Sequence, residues 1–230
     1  MSSPTVCLFD IDGTLVSTGG AGRRAMERGF AQITGSSTAC AGFSMAGMTD
    51  RRIVRTGLAI LGLPASERAI DRVLAAYLRA LAEELEIASN FKVLPGACEL
   101  LKSLARQPTT AIGLGTGNVK RGARLKLRRG GVWNRFRFGG FGCDAEERAA
   151  VIAAGAARGA QRLQVPLDHC KVWVIGDTPL DVKAARDNGY CSVAVATGGI
   201  SLAQLAQCEP TVLTASLQDP VVLKTLIGAM

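Results

Sequence analysis

Residues 5–14 read TVCLFDIDGT, an apolar run followed at once by acidic residues and glycine. The apolar part, residues 5–9, is rich in strand-forming side chains and predicts a short buried β-strand. The Asp-Gly pair is typical of a turn and ends the strand. Two carboxylates, Asp10 and Asp12, are therefore predicted at the carboxyl end of the first strand.

Two later strand patterns end in the same way. Residues 110–114 lead into GTGN, and residues 171–175 lead into GDTPLD. Helical patterns lie between these strands, and this alternation predicts a parallel sheet with helices on both faces. Ligand sites in such sheets form beyond the carboxyl ends of the strands. We therefore expect the three polar loops to meet at one edge of the sheet.

The segment between the first strand and the rest differs, because it shows helical periodicity without a strand signal. Its candidate helices, the last of which carries a long apolar stripe, are 23–34, 50–61 and 66–88. We therefore predict an α/β protein: a Rossmann-like parallel-sheet core domain (1–15 and 89–230) with an inserted all-helical cap domain (16–88).

The composition is that of an ordinary globular domain and argues against several classes of function. No apolar run approaches the ~18 residues of a membrane helix, and the first ten residues lack the pattern of a secretory signal. An odd set of seven cysteines without C-x-x-C spacing favours reduced thiols in the cytoplasm. The single histidine, His169, argues against a histidine-based triad or a two-histidine metal site.

The net charge of +8 comes from one segment. Eight basic and no acidic residues lie between Val119 and Gly142, whereas the other 19 basic residues balance the 19 acidic ones. We interpret the basic segment, 119–137, as a solvated helix face and loop that steers anionic substrates. The alternative is a binding surface for nucleic acid or an acidic partner, although aromatic residues, at 5%, are few for stacking on bases.

The predicted sheet edge collects carboxylates, a hydroxyl group and exposed backbone amides. Such oxygen-rich sets suit Mg²⁺, and a bound cation relieves the repulsion among crowded carboxylates. The ion also neutralises and orients a phosphoryl group. One aspartate can then attack the phosphorus, and a second carboxyl group can serve as general acid and base.

These features together resemble the haloacid dehalogenase-like superfamily, and look closest to its phosphoglycolate-phosphatase-like branch with a helical cap. The resemblance rests on DIDGT, the loop bearing Thr116, a distant cation and GDTPLD. It implies the following roles: Asp10 as nucleophile and metal ligand, Asp12 as general acid/base and backbone Mg²⁺ ligand, Thr116 as phosphoryl-binding hydroxyl, Asp177 as metal ligand, and Asp181 as support of the metal site.

Two parts of the resemblance are less regular. The third motif of the family is usually a lysine, and at the matching position this chain has Arg148. The resemblance implies that Arg148 is the cation that pairs with Asp10 and with the phosphate of the substrate. The alternative is a solvated charge paired with Asp144. The cap turn GMTDRR and the loop GTGN imply substrate-binding residues, namely Thr49, Asp50, Arg51, Gly117 and Asn118. The alternative role for Thr49 or Asp50, and for Asn118, is to cap the start of the helix that follows. Asp144 is predicted to cap a later helix in the same way.

The sequence thus predicts a Mg²⁺-dependent phosphatase that acts on a small phosphorylated metabolite, such as phosphoglycolate or a sugar phosphate, through an aspartyl-phosphate. A phosphomutase on the same scaffold is the alternative within the enzyme class, and a non-catalytic binding module is the alternative outside it. A dehalogenase is disfavoured because Asp12 would have no use there. We expect a monomer or homodimer without a membrane partner.

Overall fold

A parallel β-sheet forms the centre of the structure, a computed structural model that describes residues 3–228. The strands are β1 (Thr5–Phe9), β2 (Val16–Ser17), β3 (Lys92–Val93), β4 (Thr110–Gly115), β5 (Gly139–Gly140), β6 (Lys171–Gly176), β7 (Cys191–Val195) and β8 (Val212–Thr214). Six of them pair in parallel in the order β5-β4-β1-β6-β7-β8. The predicted parallel sheet is therefore confirmed.

Helices surround this sheet and also form a separate layer above its edge. They are α1 (Ala21–Thr34), α2 (Asp50–Ile60), α3 (Glu67–Ile87), α4 (Ala97–Leu104), α5 (Lys120–Arg129), α6 (Arg148–Leu163), α7 (Pro179–Asp187), α8 (Leu202–Ala206) and α9 (Pro220–Ile227). Within residues 3–228, none of them is long and apolar enough to cross a membrane.

The central strand β1 is buried on both faces. Cys7 and Phe9 pack in one core with residues of α4, α5 and α9, whereas Val6 and Leu8 pack in another with residues of α6 and α7. A strand covered on both sides has no polar face, so its sequence lacks the alternation of a half-exposed strand. This burial holds the loop after β1 in a rigid position.

The helical region α1–α3 is inserted between β1 and the rest of the sheet, as predicted. It has its own apolar core, which includes Phe30, Val54 and Leu81. Helices α1 and α3 approach closely because Gly29 has no side chain: a Cβ there would lie 2.8 Å from the Tyr77 backbone nitrogen. The short antiparallel pair β2–β3 joins the two chain segments that enter and leave this region.

The structure corrects two predicted helix starts. Helix α6 begins at Arg148 after Glu147, rather than at an Asp144 cap. The Asp144 carboxylate instead accepts a hydrogen bond from the Phe141 backbone and pairs with Arg158. Helix α5 likewise begins after Val119, so the Asn118 side chain is free to serve the neighbouring loop.

The predicted domain ranges, 1–15 with 89–230 and 16–88, stay a prediction. Positions 1, 2, 229 and 230 of the core range lie outside the described residues.

Candidate active site

Three neighbouring strands bring their polar loops together. Strand β1 lies between β4 and β6 and pairs with both along its whole length. Asp10 follows β1, Thr116 follows β4 and Asp177 follows β6, and all three are buried. The Asp10 backbone N–H donates to the Ile175 carbonyl at 2.8 Å, which continues the sheet pairing into the loop. The three polar loops therefore meet at one edge of the sheet.

Asp10, Asp177 and Asp181 form a buried acidic cluster. One carboxylate oxygen from each lies within 4.8 Å of the other two. Burial and the neighbouring charges of Asp10 and Asp181 raise the pKa of Asp177 to about 8. Burial also raises the pKa of Asp10 to about 6, although the Arg148 guanidinium opposes the shift. Carboxylates packed this closely destabilise one another unless a cation lies between them.

The donor set of this cluster fits Mg²⁺, which prefers a few carboxylate oxygens together with water and phosphate oxygens. Both oxygens of Asp181 already accept hydrogen bonds: Oδ2 from Thr178 (2.8 Å and 3.1 Å), and Oδ1 from Arg148. Asp10 and Asp177 could hold the ion, with Asp181 as their support. The Thr14 hydroxyl donates to Asp177 Oδ1 at 3.0 Å and orients it.

Arg148 is buried beside the cluster. Its Nη2 lies 2.9 Å from Asp10 Oδ1, and its Nε lies 3.0 Å from Asp181 Oδ1. Burial acts to lower the pKa of Arg148, but the charges of Asp10 and Asp181 outweigh burial, and the pKa is raised. The guanidinium is thus a permanent cation that bridges two carboxylates. Its Nη1 also donates to the Gly47 carbonyl at 3.2 Å, in the loop before α2.

Asp12 takes part in a second polar network, which includes Asn118 and Lys126. Its Oδ2 accepts hydrogen bonds from Asn118 Nδ2 at 2.8 Å and from Lys126 Nζ at 2.6 Å. Asn118 Nδ2 also donates to the Thr116 hydroxyl at 2.9 Å. The network connects the loop after β1 to the loop after β4 and to helix α5.

Gly117 marks the contact between the core and the inserted helices. Its carbonyl accepts a hydrogen bond from the Asp50 N–H at 2.8 Å, and the Asp50 carboxylate accepts one from the Val119 N–H at 2.8 Å. A Cβ at Gly117 would lie 2.3 Å from the Met48 carbonyl oxygen, so only glycine permits this approach. Burial raises the pKa of Asp50 to about 6, and nearby Lys126 opposes that rise.

A cavity of about 270 Å³ lies between the acidic cluster and the inserted helices. On the core side its lining includes Asp10, Asp12, Gly117, Asn118, Lys126, Arg148 and Asp177. On the side of the inserted helices its lining includes Thr18, Arg23, Met26, Met45, Asp50, Ile53 and Tyr77. A charged floor beneath a partly apolar roof can hold a small anion with a short organic group attached.

A family model described as haloacid dehalogenase-like hydrolase matches residues 7–186. The chain belongs to this family. The matched range extends from β1 through α7 and includes every loop that carries the acidic cluster. The predicted resemblance, fold class and hydrolase activity are therefore confirmed.

Proteins similar to this chain match it over almost its whole length. The chain is 26% identical over 223 residues to "Probable phosphatase IndB" of Dickeya dadantii, covering 93% of this chain and 90% of that protein. A hydrolase from Pseudomonas syringae superposes with a TM-score of 0.68 at 21% identity, covering 96% of each chain. A "putative phosphoglycolate phosphatase" from Lactobacillus delbrueckii superposes at 0.67 with 20% identity, covering 99% of this chain and 100% of that one. The two structures support the fold.

Two residues predicted to bind substrate lie elsewhere. The Thr49 side chain accepts a hydrogen bond from the first turn of α2, and its hydroxyl donates to the Glu146 carbonyl at 2.9 Å. The Arg51 guanidinium contacts Glu67 and Asp71 on α3. In the part of the chain that the structure describes, neither residue lines the cavity.

Sequence analysis missed Lys126, which it counted as part of the solvated basic segment. That interpretation is wrong at this position, because the Lys126 side chain is only 5% exposed. The buried residues of α5 are Gly122, Ala123, Lys126 and Leu127. Their spacing places Lys126 on the apolar face of the helix, and this was the signal available in the sequence.

Proposed function

We propose that this family member is a Mg²⁺-dependent phosphatase that hydrolyses a small phosphate ester through an aspartyl-phosphate on Asp10. The observation that carries the proposal is the position of Asp10. Its buried carboxylate lines the cavity, contacts Arg148 at 2.9 Å and lies beside Asp177. Asp12, which follows two residues later, lines the same cavity and supplies the second carboxyl group.

The proposed reaction has two steps. A bound Mg²⁺ would neutralise charge on the phosphoryl group and orient it. In the first step an Asp10 oxygen attacks phosphorus, the ester P–O bond breaks, and Asp12 protonates the departing oxygen. In the second step Asp12 removes a proton from water, whose oxygen attacks phosphorus and breaks the bond to Asp10. Phosphate and an alcohol are the products.

The remaining site residues are proposed to hold the phosphoryl group. Arg148 provides a charge that does not titrate, and its planar fork already binds the two carboxylates of Asp10 and Asp181. The lysine that usually occupies the third motif is a point charge without this fork. Arg148 would therefore supply the same positive charge to Asp10 and the phosphate through different hydrogen-bond geometry. Gly117 lines the cavity, and the buried Thr116 hydroxyl accepts a hydrogen bond from Asn118, which also lines it.

We propose that residues 16–88 act as a cap over the site. The Asp50 contacts described above and the Arg55–Glu146 ion pair, at 2.6 Å, hold the cap onto the core. The linkers 16–20 and 89–95, which contain β2 and β3, are the proposed hinges. A closed cap excludes bulk water and selects the substrate.

The size of the cavity supports a small leaving group, since about 270 Å³ lies just below the usual range of volumes of ligand sites. Phosphoglycolate and sugar phosphates are the proposed substrates, in keeping with the named structures of similar fold. A mutase is the second candidate, because a "putative beta-phosphoglucomutase" from Bacteroides vulgatus has a TM-score of 0.66 at 19% identity, covering 98% of this chain and 90% of that one.

The test is phosphate release from a panel of esters that includes 2-phosphoglycolate and hexose phosphates, with Mg²⁺ and with chelator. Release should require Mg²⁺ and disappear in Asp10→Asn. Asp168→Asn, an exposed aspartate near the opposite edge of the sheet, is the matched control and should keep full activity. Isomerised sugar phosphate without net phosphate release would favour the mutase. Binding of nucleic acid without turnover would favour the basic segment as the functional surface.

A further inference from the structure

Lys126 is a buried lysine between the core and the inserted helices. Its Nζ donates to Asp12 Oδ2 and to Asn118 Oδ1, each at 2.6 Å. Removal of an ammonium group from water is costly unless the group is paired and hydrogen-bonded. Both partners line the cavity, so the contacts that compensate this cost are contacts within the proposed active site.

Groups from the inserted helices enclose the same ammonium group. The Tyr77 hydroxyl on α3 interacts with Lys126, and the Asp50 carboxylate on α2 contributes an attractive charge. A Cβ at Gly22 on α1 would lie 3.5 Å from Nζ. Groups from all three inserted helices therefore lie beside the Lys126 ammonium group.

These contacts determine which oxygen of the Asp12 carboxyl group can carry a proton. A lysine ammonium only donates hydrogen bonds, so Asn118 presents its Oδ1 to Lys126 and its Nδ2 to Asp12. Within residues 3–228, both hydrogen bonds to the Asp12 side chain reach Oδ2. Because both partners are donors, a proton on Asp12 has to lie on Oδ1.

We propose that Lys126 is a positioning residue for acid–base catalysis: together with Asn118 it holds Asp12 Oδ2, so that Oδ1 delivers the proton to the leaving-group oxygen. The inference rests on the proposed function, which gives Asp12 the acid–base role. The step balances, because the O–H bond of Asp12 breaks and the O–H bond of the alcohol forms as the ester P–O bond breaks. Lys126 itself exchanges no proton.

Leaving-group dependence separates this role from a purely structural one. The phenolate released from 4-nitrophenyl phosphate needs little protonation, whereas the phenolate from phenyl phosphate, an ester of similar shape, needs more. Lys126→Met is expected to lower kcat/KM for phenyl phosphate about tenfold more than for 4-nitrophenyl phosphate. Lys126→Arg keeps a cation and a donor and should restore most of the wild-type ratio. Arg124→Met, at an exposed position of α5, removes the same charge and is the matched control.

The outcomes distinguish this inference from the proposed function. Equal losses on both esters in Lys126→Met, or no loss, overturn the inference and leave the phosphatase intact. A wild-type protein that hydrolyses no ester overturns the proposed function and the inference with it. If Lys126→Met lacks a cooperative thermal transition, Asn118→Leu removes the other donor to Asp12 Oδ2, and the same change in the ratio of the two esters is expected.

Discussion

Replacement of Asp177 by asparagine should stabilise the metal-free protein at neutral pH, although it removes a proposed metal ligand. Asp177 is buried beside Asp10 and Asp181, and its carboxyl group has a pKa of about 8 in the folded protein against 3.8 for an unperturbed aspartate. At a pH above 3.8 this carboxyl group is ionised in the unfolded chain, and it has to take up a proton, or be buried as a charge, when the chain folds. Either event lowers the stability of the folded protein. Asparagine has nearly the same shape, and its oxygen can still accept the hydrogen bond from Thr14.

The magnitude follows from proton linkage. For an acid whose pKa rises on folding, the stability contribution is complete below the unfolded pKa and is lost as the pH rises through the folded pKa. With a folded pKa of about 8 and an unfolded value of 3.8, the loss is about 4 kcal/mol at pH 7 and about 2 kcal/mol at pH 5. We therefore expect Asp177→Asn to gain about 2–4 kcal/mol at pH 7 and less at pH 5.

Urea unfolding in chelator, at both pH values, measures this difference in the free energy of unfolding. Mg²⁺ at a hundredfold excess over its Kd should add about 2.7 kcal/mol to the free energy of unfolding of the wild type and less to that of the variant. The difference in stability between the two proteins should therefore become smaller. The exposed variant Asp168→Asn should match the wild type throughout. Two results would refute the reasoning. One is an Asp177→Asn protein that is less stable than wild type at pH 7 without metal. The other is a difference in the free energy of unfolding that is the same at both pH values.

Three further outcomes are expected. Arg148→Ala should lower the free energy of unfolding by about 3–5 kcal/mol in urea titrations, because it leaves buried carboxylates unpaired, whereas Arg148→Lys should lose less stability and still lose activity. Asp50→Ala should raise KM and speed proteolysis of the inserted helices by removing the acceptor for the Val119 N–H, and Asp50→Asn, which keeps an acceptor, should not. Mg²⁺ binding at pH 7 should release nearly one proton per ion, since Asp177 is largely protonated below its pKa of about 8, and calorimetry in buffers of different ionisation enthalpy measures this release.

The fold could be predicted from the sequence because its signals are local. The apolar run of β1 and the turn residues after it lie within a few positions of each other, and the same holds for β4 and β6. Helices α2 and α3 begin within one residue of their predicted starts, since Thr49 and Ser66 cap them with side-chain oxygens. The start of α6 could not be predicted, because the carboxylate of Asp144 serves the Phe141 backbone and Arg158 instead.

The candidate site was predictable only in part. The acidic residues beyond the strands could be named from the sequence, because each directly follows an apolar run. The resemblance implied that Arg148 pairs with Asp10, and the structure shows this pair. The other two pairs were not predicted, since Lys126 lies 114 positions from Asp12 and Arg148 lies 33 positions from Asp181. No local pattern connects residues so far apart.

The sequence by itself thus determined the parallel sheet, the inserted helices and the acidic ends of three strands, because hydrophobic periodicity and turn chemistry act over neighbouring residues. Only the tertiary structure decided that Lys126 meets Asp12 and that Arg148 contacts Asp181 as well as Asp10. Periodicity places Lys126 on the apolar face of α5, but tertiary packing, which includes the contact of α5 with α3, determines that it meets Asp12 there. Buried charges are stable only with a partner, and long-range packing is what supplies that partner.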